Sequence, residues 1–305
     1  MTWIGPHILR LESRIDPLLA EGRLPHALLI SGPRGVGKRT LAQRLARGIL
    51  CTTASRSGGC GGCGSCQRVD LGEHPDLHRL ERPAGKTRIP VSEVRDLLQA
   101  LSRASLEGRG RVALLMGVED LGIEGQNALL KTLEEPFAGT WLLLTTARPE
   151  ALLDTVRSRV HRQGLPPLSD AEMMEYLDQI GTGELSREDL LSISGGRPGR
   201  ARELSEGSGL ALLERAGRLL EPSSTDRTWA QSVFEELDTG EEGVRQAKKQ
   251  RAQEVLALAL ELARGRGHSG DSQAWSQIER LIEAQRDLDL GLAPDQVLQA
   301  LHRKI

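Results

Sequence analysis

The sequence is poor in aromatic residues and has no long apolar run. Aromatic residues make up 2% of its 305 residues, which argues against the stacking platforms that proteins use to hold single-stranded nucleic acid. No stretch approaches the roughly 18 consecutive apolar residues of a membrane span. The N-terminal stretch MTWIGPHILRLESR carries charged residues where a signal peptide needs an apolar run. We therefore expect a soluble, cytoplasmic protein that makes no membrane contact.

An excess of positive charge is also missing. The formal net charge is −2, so the chain as a whole cannot neutralise many phosphate groups, and we expect any contact with DNA to need partner proteins. The sequence does have length and apolar content. Its 305 residues, of which 38% are hydrophobic, are enough for two or three domains with ordinary cores.

The stretch GPRGVGKRT, residues 32–40, departs at one position from the phosphate-binding pattern G-x-x-x-x-G-K-[ST]. Gly32, Gly35, Gly37 and Lys38 are the candidate phosphate-binding residues of this degenerate loop, but Arg39 stands where a Ser or Thr hydroxyl would hold magnesium. Backbone N–H groups at a helix N-terminus bind anions without a metal. Hydrolysis needs magnesium ligands, so phosphate affinity is plausible while ATPase activity is not expected.

Apolar runs alternate with helical patterns in the first half of the chain. Strands are predicted at Ala27–Ser31, Val112–Met116 and Trp141–Thr145. Such alternation is typical of an α/β fold with a parallel sheet. The acids Glu119 and Asp120 follow the second of these strands, and the pattern alone fits either a displaced metal-binding pair or ordinary loop acids.

Helical patterns dominate after about residue 164. Ser169 followed by Glu172 predicts a capping box at the start of one helix, and Ser186 is expected to begin another. We divide the chain into an α/β domain at 1–164, a small helical domain at 165–208 and an all-helical domain at 209–305. The boundary near residue 207 is weakly marked, so one continuous helical half is the alternative.

All four cysteines lie in one insertion, residues 51–66. Cys51, Cys60, Cys63 and Cys66 supply the four ligands that close a tetrahedral structural zinc site. A pair of disulfides is the alternative, which a cytoplasmic protein would not normally keep. Four thiolates leave no open coordination position, so the predicted zinc is structural rather than catalytic.

Several long motifs resemble one known family. They are LPHALLISGPRGVGK, the cysteine insertion, NALLKTLEEP at residues 127–136 and TWLLLTTARPEALLDTVRSR at residues 140–159. Together they resemble the delta-prime type of clamp-loader subunit of bacterial DNA polymerase III, within the AAA+ class. The resemblance implies a P-loop domain with a zinc module, a helical lid and a helical collar for oligomerisation. It also implies a five-membered ring with delta and gamma/tau subunits that loads the sliding clamp on primer-template DNA.

The resemblance also shows where the chain departs from ATPase members of the family. Alignment on NALLKTLEEP places their acidic pair at Met116 and Gly117, so both acids are absent. The position of their nucleotide-sensing arginine falls on Gly199, although Arg197 or Arg200 could substitute. These departures imply a subunit without ATPase activity of its own that acts as part of the polymerase holoenzyme.

One functional motif is kept. VRSR, residues 156–159, matches the Ser-Arg-Cys motif whose arginine reaches the ATP of the neighbouring subunit, with Val160 in place of the cysteine. The resemblance therefore implies that Arg159 is an arginine finger acting in trans, a role that accelerates phosphoryl transfer by neutralising charge in the transition state. Two alternatives are an active gamma/tau-type ATPase, with Thr40 supplying the lost hydroxyl, and a zinc-stabilised adaptor unrelated to replication.

Overall fold

The computed structural model describes residues 3–207, 209–220, 233–234, 244–268 and 272–304. The chain divides into two compact units. The first contains the residues up to 176 together with 196–199, and the second contains residues 177–195 together with the described residues from 200 onward. The predicted boundaries at 164 and 208 stay a prediction.

A five-stranded parallel sheet forms the centre of the first unit. Its strand order is β2-β3-β4-β1-β5, so β1 lies between β4 and β5. The strands are β1 Ala27–Ser31, β2 Leu77–Leu80, β3 Arg111–Leu115, β4 Thr140–Thr146 and β5 His161–Gly164. Because all the strands are parallel, their carboxyl ends meet at one edge, where α/β proteins usually place their ligand sites.

Helices cover both faces of this sheet. They are α1 Pro6–Ala20, α2 Lys38–Leu50, α3 Gly64–Leu71, α4 Val91–Leu101, α5 Ile123–Glu134 and the short α6 Asp154–Arg157. Successive residues of β1 point to opposite faces: Leu28 and Ile30 pack in a cluster with α1 and α2, whereas Ala27 and Leu29 pack in a cluster with α4 and α5. The sheet is therefore buried on both sides, as its apolar strands require.

The helices from residue 170 onward include α7 Asp170–Ile180, α8 Arg187–Ser194, α9 Pro198–Glu206, α10 Gly209–Leu219, α11 Val244–His268, α12 Ser272–Asp289 and α13 Pro294–Lys304. In the second unit, α11 packs against α10 and α12, through buried residues such as Leu256 and Leu281. Within the described ranges, no helix combines the length and apolarity needed to cross a membrane.

The structure confirms the predicted α/β class and most local features. Ser169 and Glu172 form the expected capping box, since the Ser169 N–H donates to the Glu172 carboxylate at 2.9 Å and the Glu172 N–H donates to Ser169 Oγ at 3.4 Å. Ser186 caps α8 by accepting from the Asp189 N–H. The sequence did not predict β2 or β5.

Candidate functional site

The glycine-rich loop lies between the carboxyl end of β1 and the first turn of α2. Gly35 and Gly37 have φ values of 82° and 104°, in the left-handed region that glycine adopts without steric cost. This backbone turns the chain sharply from the strand into the helix, which begins at Lys38. The loop therefore has the strand–loop–helix placement of a phosphate-binding loop.

The side chain of Lys38 folds back onto this loop. Its Nζ donates to the carbonyl oxygens of Gly32 and Pro33, at 2.8 Å each. Burial lowers the pKa of Lys38, while the carboxylate of Glu119 opposes the shift. The ammonium group is therefore held by the carbonyls of the loop itself, and a bound phosphate would have to compete with them.

The residue after Lys38 cannot bind a metal ion. Arg39 forms an exposed ion pair with Glu81, which follows the carboxyl end of β2. A guanidinium cannot ligate a cation, because it has no acceptor atom. Magnesium therefore has no ligand at this position.

The end of β3 also lacks a carboxylate. Met116 and Gly117 stand there, and Thr145 on β4 contacts both by accepting from the Gly117 N–H at 3.1 Å and donating to Met116 Sδ at 3.6 Å. The nearby acids have other partners: Glu119 accepts from the Ala147 N–H, and Asp120 accepts from Arg82 Nε. Glu119 and Asp120 are thus directed to separate partners, as loop acids are, rather than paired around a common cation position.

Gly199 packs directly against the glycine-rich loop. Its N–H donates to the carbonyl oxygen of Gly35 at 2.8 Å. A Cβ atom at residue 199 would lie 2.9 Å from the same oxygen and 3.1 Å from the Gly35 Cα. Arg200 is turned toward Glu203, 3.6 Å away. A nucleotide-sensing arginine at residue 199 would therefore clash with the loop that it would serve.

Arg159 follows the short helix α6 on the surface of the first unit. Val156 and Val160 on either side are buried in the sheet core and fix the backbone at this point. The Arg159 Nε and Nη2 lie 2.7 and 2.6 Å from Glu134 Oε1. Its Nη1 donates to the Thr155 carbonyl at 2.9 Å. The side chain keeps 36% of its surface exposed, so the guanidinium is both held and accessible.

The four cysteines converge on one point at the end of α2. Their Sγ atoms all lie within 4.8 Å of one another, and the Cys51–Cys63 and Cys60–Cys66 pairs are each 3.9 Å apart. Four thiolates around a zinc ion with bonds of about 2.3 Å are separated by roughly 3.8 Å, so the cluster fits such an ion. The same distances are far longer than the roughly 2.05 Å of a disulfide bond.

Backbone amides support this cluster from outside. The Ala54 and Cys60 N–H groups both donate to Cys51 Sγ at 3.3 Å, and the Cys66 N–H donates to Cys63 Sγ at 3.4 Å. Hydrogen bonds from Thr52 and Cys66 lower the pKa of the Cys63 thiol to about 5. Donors aimed at sulfur stabilise the thiolate form, which is the form that binds a metal.

Comparison with known proteins identifies the family. The family described as DNA polymerase III, delta subunit, matches residues 10–169. The delta-prime subunit from Pseudomonas aeruginosa is 39% identical over 181 residues, which are 59% of this chain and 55% of that protein. The delta-prime subunit from Escherichia coli is 34% identical over 230 residues, which are 74% of this chain and 67% of that protein. This chain belongs to that DNA polymerase III family.

Two further matches bear on the branch and the fold. The tau subunit from Salmonella typhimurium is 38% identical over 162 residues, 53% of this chain but only 25% of that protein. The crystal structure of a gamma subunit-related protein of DNA polymerase III from Thermotoga maritima has a TM-score of 0.54 and 16% identity, covering 98% of this chain and 99% of that one. The second likeness concerns the fold alone. The delta-prime matches confirm the resemblance to this clamp-loader family, and they span about half to two thirds of those relatives' length.

The structure brings together some of the predicted site residues and separates others. Gly32, Gly35, Gly37 and Lys38 form one loop, and the four cysteines form one cluster that could hold a metal ion. Arg159 instead contacts Glu134, Thr155 and Ser158. Glu134, its partner, was not singled out by the sequence, although it stands in the quoted NALLKTLEEP motif. Its place as the last residue of α5, inside a motif already used for the alignment, was the signal that could have identified it.

Proposed function

We propose that the chain is a non-motor, delta-prime-like subunit of the clamp loader of DNA polymerase III. It would complete a five-membered ring with delta and gamma/tau subunits, and the ring would place the sliding clamp on primer-template DNA in replication. Membership in the DNA polymerase III family supports the assignment of the chain to this complex. The observation that carries the non-motor assignment is the lack of a magnesium ligand at two positions, where Arg39 pairs with Glu81 and where Met116 and Gly117 follow β3.

Nucleotide hydrolysis is therefore assigned to the neighbours. A motor site needs a hydroxyl on magnesium and acidic residues at the strand end. Here Arg39 bonds to Glu81, and Met116 and Gly117 occupy the strand end. The chain contributes contacts to the ring and hydrolyses no ATP at its own loop.

One catalytic contribution is retained in this proposal. Arg159 acts in trans as an arginine finger that reaches the ATP of an adjacent subunit. Its partly exposed guanidinium, fixed at its base by Val156 and Val160, supports that role. Such a finger is worth about 10³ to 10⁵ in rate, because it neutralises charge that develops in the transition state.

The cysteine cluster has a structural role in this proposal. Cys51, Cys60, Cys63 and Cys66 would hold one zinc ion, which ties the end of α2 to the start of α3. With four thiolate ligands the ion has no site for substrate, so it supplies cross-linking and no catalysis. The residues near 209–305 would form the helical collar through which ring subunits associate.

The second candidate function is an active ATPase of the gamma/tau type, which the tau similarity favours. That function would need Thr40 to replace the missing hydroxyl. One residue along a helix rotates the side chain by about 100°, so Thr40 points away from the direction that Arg39 takes. It would also need acids where Met116 and Gly117 stand, and Glu119 and Asp120 already have other partners.

Reconstitution tests the proposal. The chain is mixed with delta and gamma/tau subunits of the same organism, and assembly is followed by native mass measurement. Clamp loading on primed DNA is then measured with ATP. We expect a complex that loads clamps only when this chain is present. A chain that joins no complex, or a loader that works equally well without it, contradicts the proposal.

A further inference from the structure

We propose that Glu134 positions Arg159 for its action on the neighbouring subunit. This inference rests on the proposed finger role of Arg159. Glu134 is the last residue of α5, and its Oε1 accepts from both Nε and Nη2 of Arg159, at 2.7 and 2.6 Å. It touches no nucleotide itself, so it is a positioning residue and not a catalytic one.

The way in which Glu134 holds the guanidinium leaves part of it available. A guanidinium has five N–H donors in a fixed plane. Glu134 takes the side edge formed by Nε and Nη2, and Nη1 donates to the Thr155 carbonyl at 2.9 Å and to Ser158 Oγ at 3.3 Å. Within the described residues, the outer N–H of Nη2 keeps no partner. The guanidinium is thus held along one edge and at Nη1, and one N–H of Nη2 is left for a further acceptor.

The ion pair has little to do with stability. The Glu134 and Arg159 side chains are 50% and 36% exposed. Exposed pairs of this kind contribute little to folding because water and salt screen them. A long, flexible arginine side chain has many rotamers, however, and a finger must reach one geometry in the transition state. The benefit of the pair therefore lies in the orientation of Arg159.

A restraining role for Glu134 is the competing interpretation, in which the carboxylate competes with phosphate for the arginine. That role would require Glu134 to cover the tip of the guanidinium. The contacts instead engage the side edge through Nε. Helix α5 is anchored in the sheet core through Leu129 and Leu133, so Glu134 sits on a rigid support, as a positioning group requires.

The test uses the reconstituted clamp loader and three variants of Glu134 and its neighbour. Glu134→Ala should slow clamp loading by about tenfold, since a misplaced group loses one to two orders of magnitude in rate. Its effect should fall on kcat with the KM for ATP unchanged, because the finger acts in the transition state. Glu134→Gln keeps the acceptor oxygen and should retain most of the rate. Glu135→Ala, the adjacent exposed residue, is the matched control for charge and should behave as wild type.

A double variant separates positioning from a general defect. In the Arg159→Ala background, Glu134→Ala should cause no further loss, because nothing remains to be positioned. All variants should join the ring and melt at the wild-type temperature. If Arg159→Ala slows clamp loading, three results would overturn the inference. These are an unchanged loading rate for Glu134→Ala, a faster loading rate for Glu134→Ala, or a further loss of rate in the double variant. A wild-type rate for Arg159→Ala removes the finger role and this inference together.

Discussion

The Nζ atom of Lys38 lies 2.8 Å from the carbonyl oxygen of Gly32, within hydrogen-bonding distance. Lys38 is thus hydrogen-bonded to the backbone of its own loop. We expect the isolated chain to hydrolyse ATP negligibly, well below the roughly 1 s⁻¹ usual for phosphoryl-transfer enzymes. Arg39→Thr should not restore activity, because Met116 and Gly117 still supply no magnesium ligand. Phosphate release measured with and without magnesium, with a gamma/tau subunit as positive control, checks this, and magnesium-dependent turnover would favour the motor.

Metal content tests the cysteine cluster. Protein purified in reducing buffer without added zinc should contain about one zinc per chain, because the geometry fits a four-thiolate site. Removal of the metal with a strong chelator, or the change Cys66→Ser, should lower the melting temperature, since metal binding stabilises the folded chain. Ser55→Ala, an exposed change in the same insertion, is the control and should keep both metal and melting temperature. A stoichiometry near zero in well-folded protein would exclude the zinc assignment.

Arg159→Ala tests the finger. The variant should fold and join the ring, since a partly exposed side chain contributes little to stability. It should lower the DNA- and clamp-stimulated ATPase of the complex by a fraction, and slow clamp loading more, because one neighbouring site loses transition-state stabilisation.

Arg157→Ala is the control for Arg159. Arg157 pairs with Asp154 within its own short helix and stands outside the retained Ser-Arg pair. The complex that contains Arg157→Ala should load clamps at the wild-type rate. If the two variants load clamps alike, Arg159 is an ordinary surface residue.

Alanine substitutions at Gly199 and at a control glycine should change the free energy of unfolding in opposite directions. A methyl group at residue 199 would meet the Gly35 carbonyl oxygen at 2.9 Å, and backbone cannot move aside as a side chain can. Gly199→Ala should therefore lower the free energy of unfolding by about 1–3 kcal/mol. Gly217→Ala, in helix α10 with nothing within 4 Å of the added carbon, should raise it by up to about 1 kcal/mol. Urea unfolding measures both, and a neutral Gly199→Ala would show that the loop contact is loose.

Acid sensitivity should depend on Glu172. Hydrogen bonds from Arg10 and Ser169 lower the pKa of this carboxyl group to about 2. A group whose pKa is lowered in the folded state contributes stability above its unfolded pKa, and that stability is lost as the pH falls toward 2. Glu172→Gln should therefore flatten the decline in stability between about pH 5 and pH 2. Glu175→Gln, an exposed neighbour, should leave the decline unchanged in thermal melts over this range.

The sequence alone determined the features that depend on local spacing. The glycine pattern predicted the loop before α2, Ser169 and Glu172 predicted a capping box, and four closely spaced cysteines predicted one metal cluster. Each of these signals is read within a few residues or within a single insertion. The kept motifs also identified the family, because they are long and contiguous.

Tertiary structure decided the features that depend on distant partners. The polar strand β5, His161–Gly164, has no apolar alternation and exists because its backbone pairs with β1 at the edge of the sheet. Arg159 meets Glu134 across 25 positions, and Gly199 meets Gly35 only because the chain returns to the loop. No local pattern specifies such contacts, since they form where packing of the core brings two separate surfaces together.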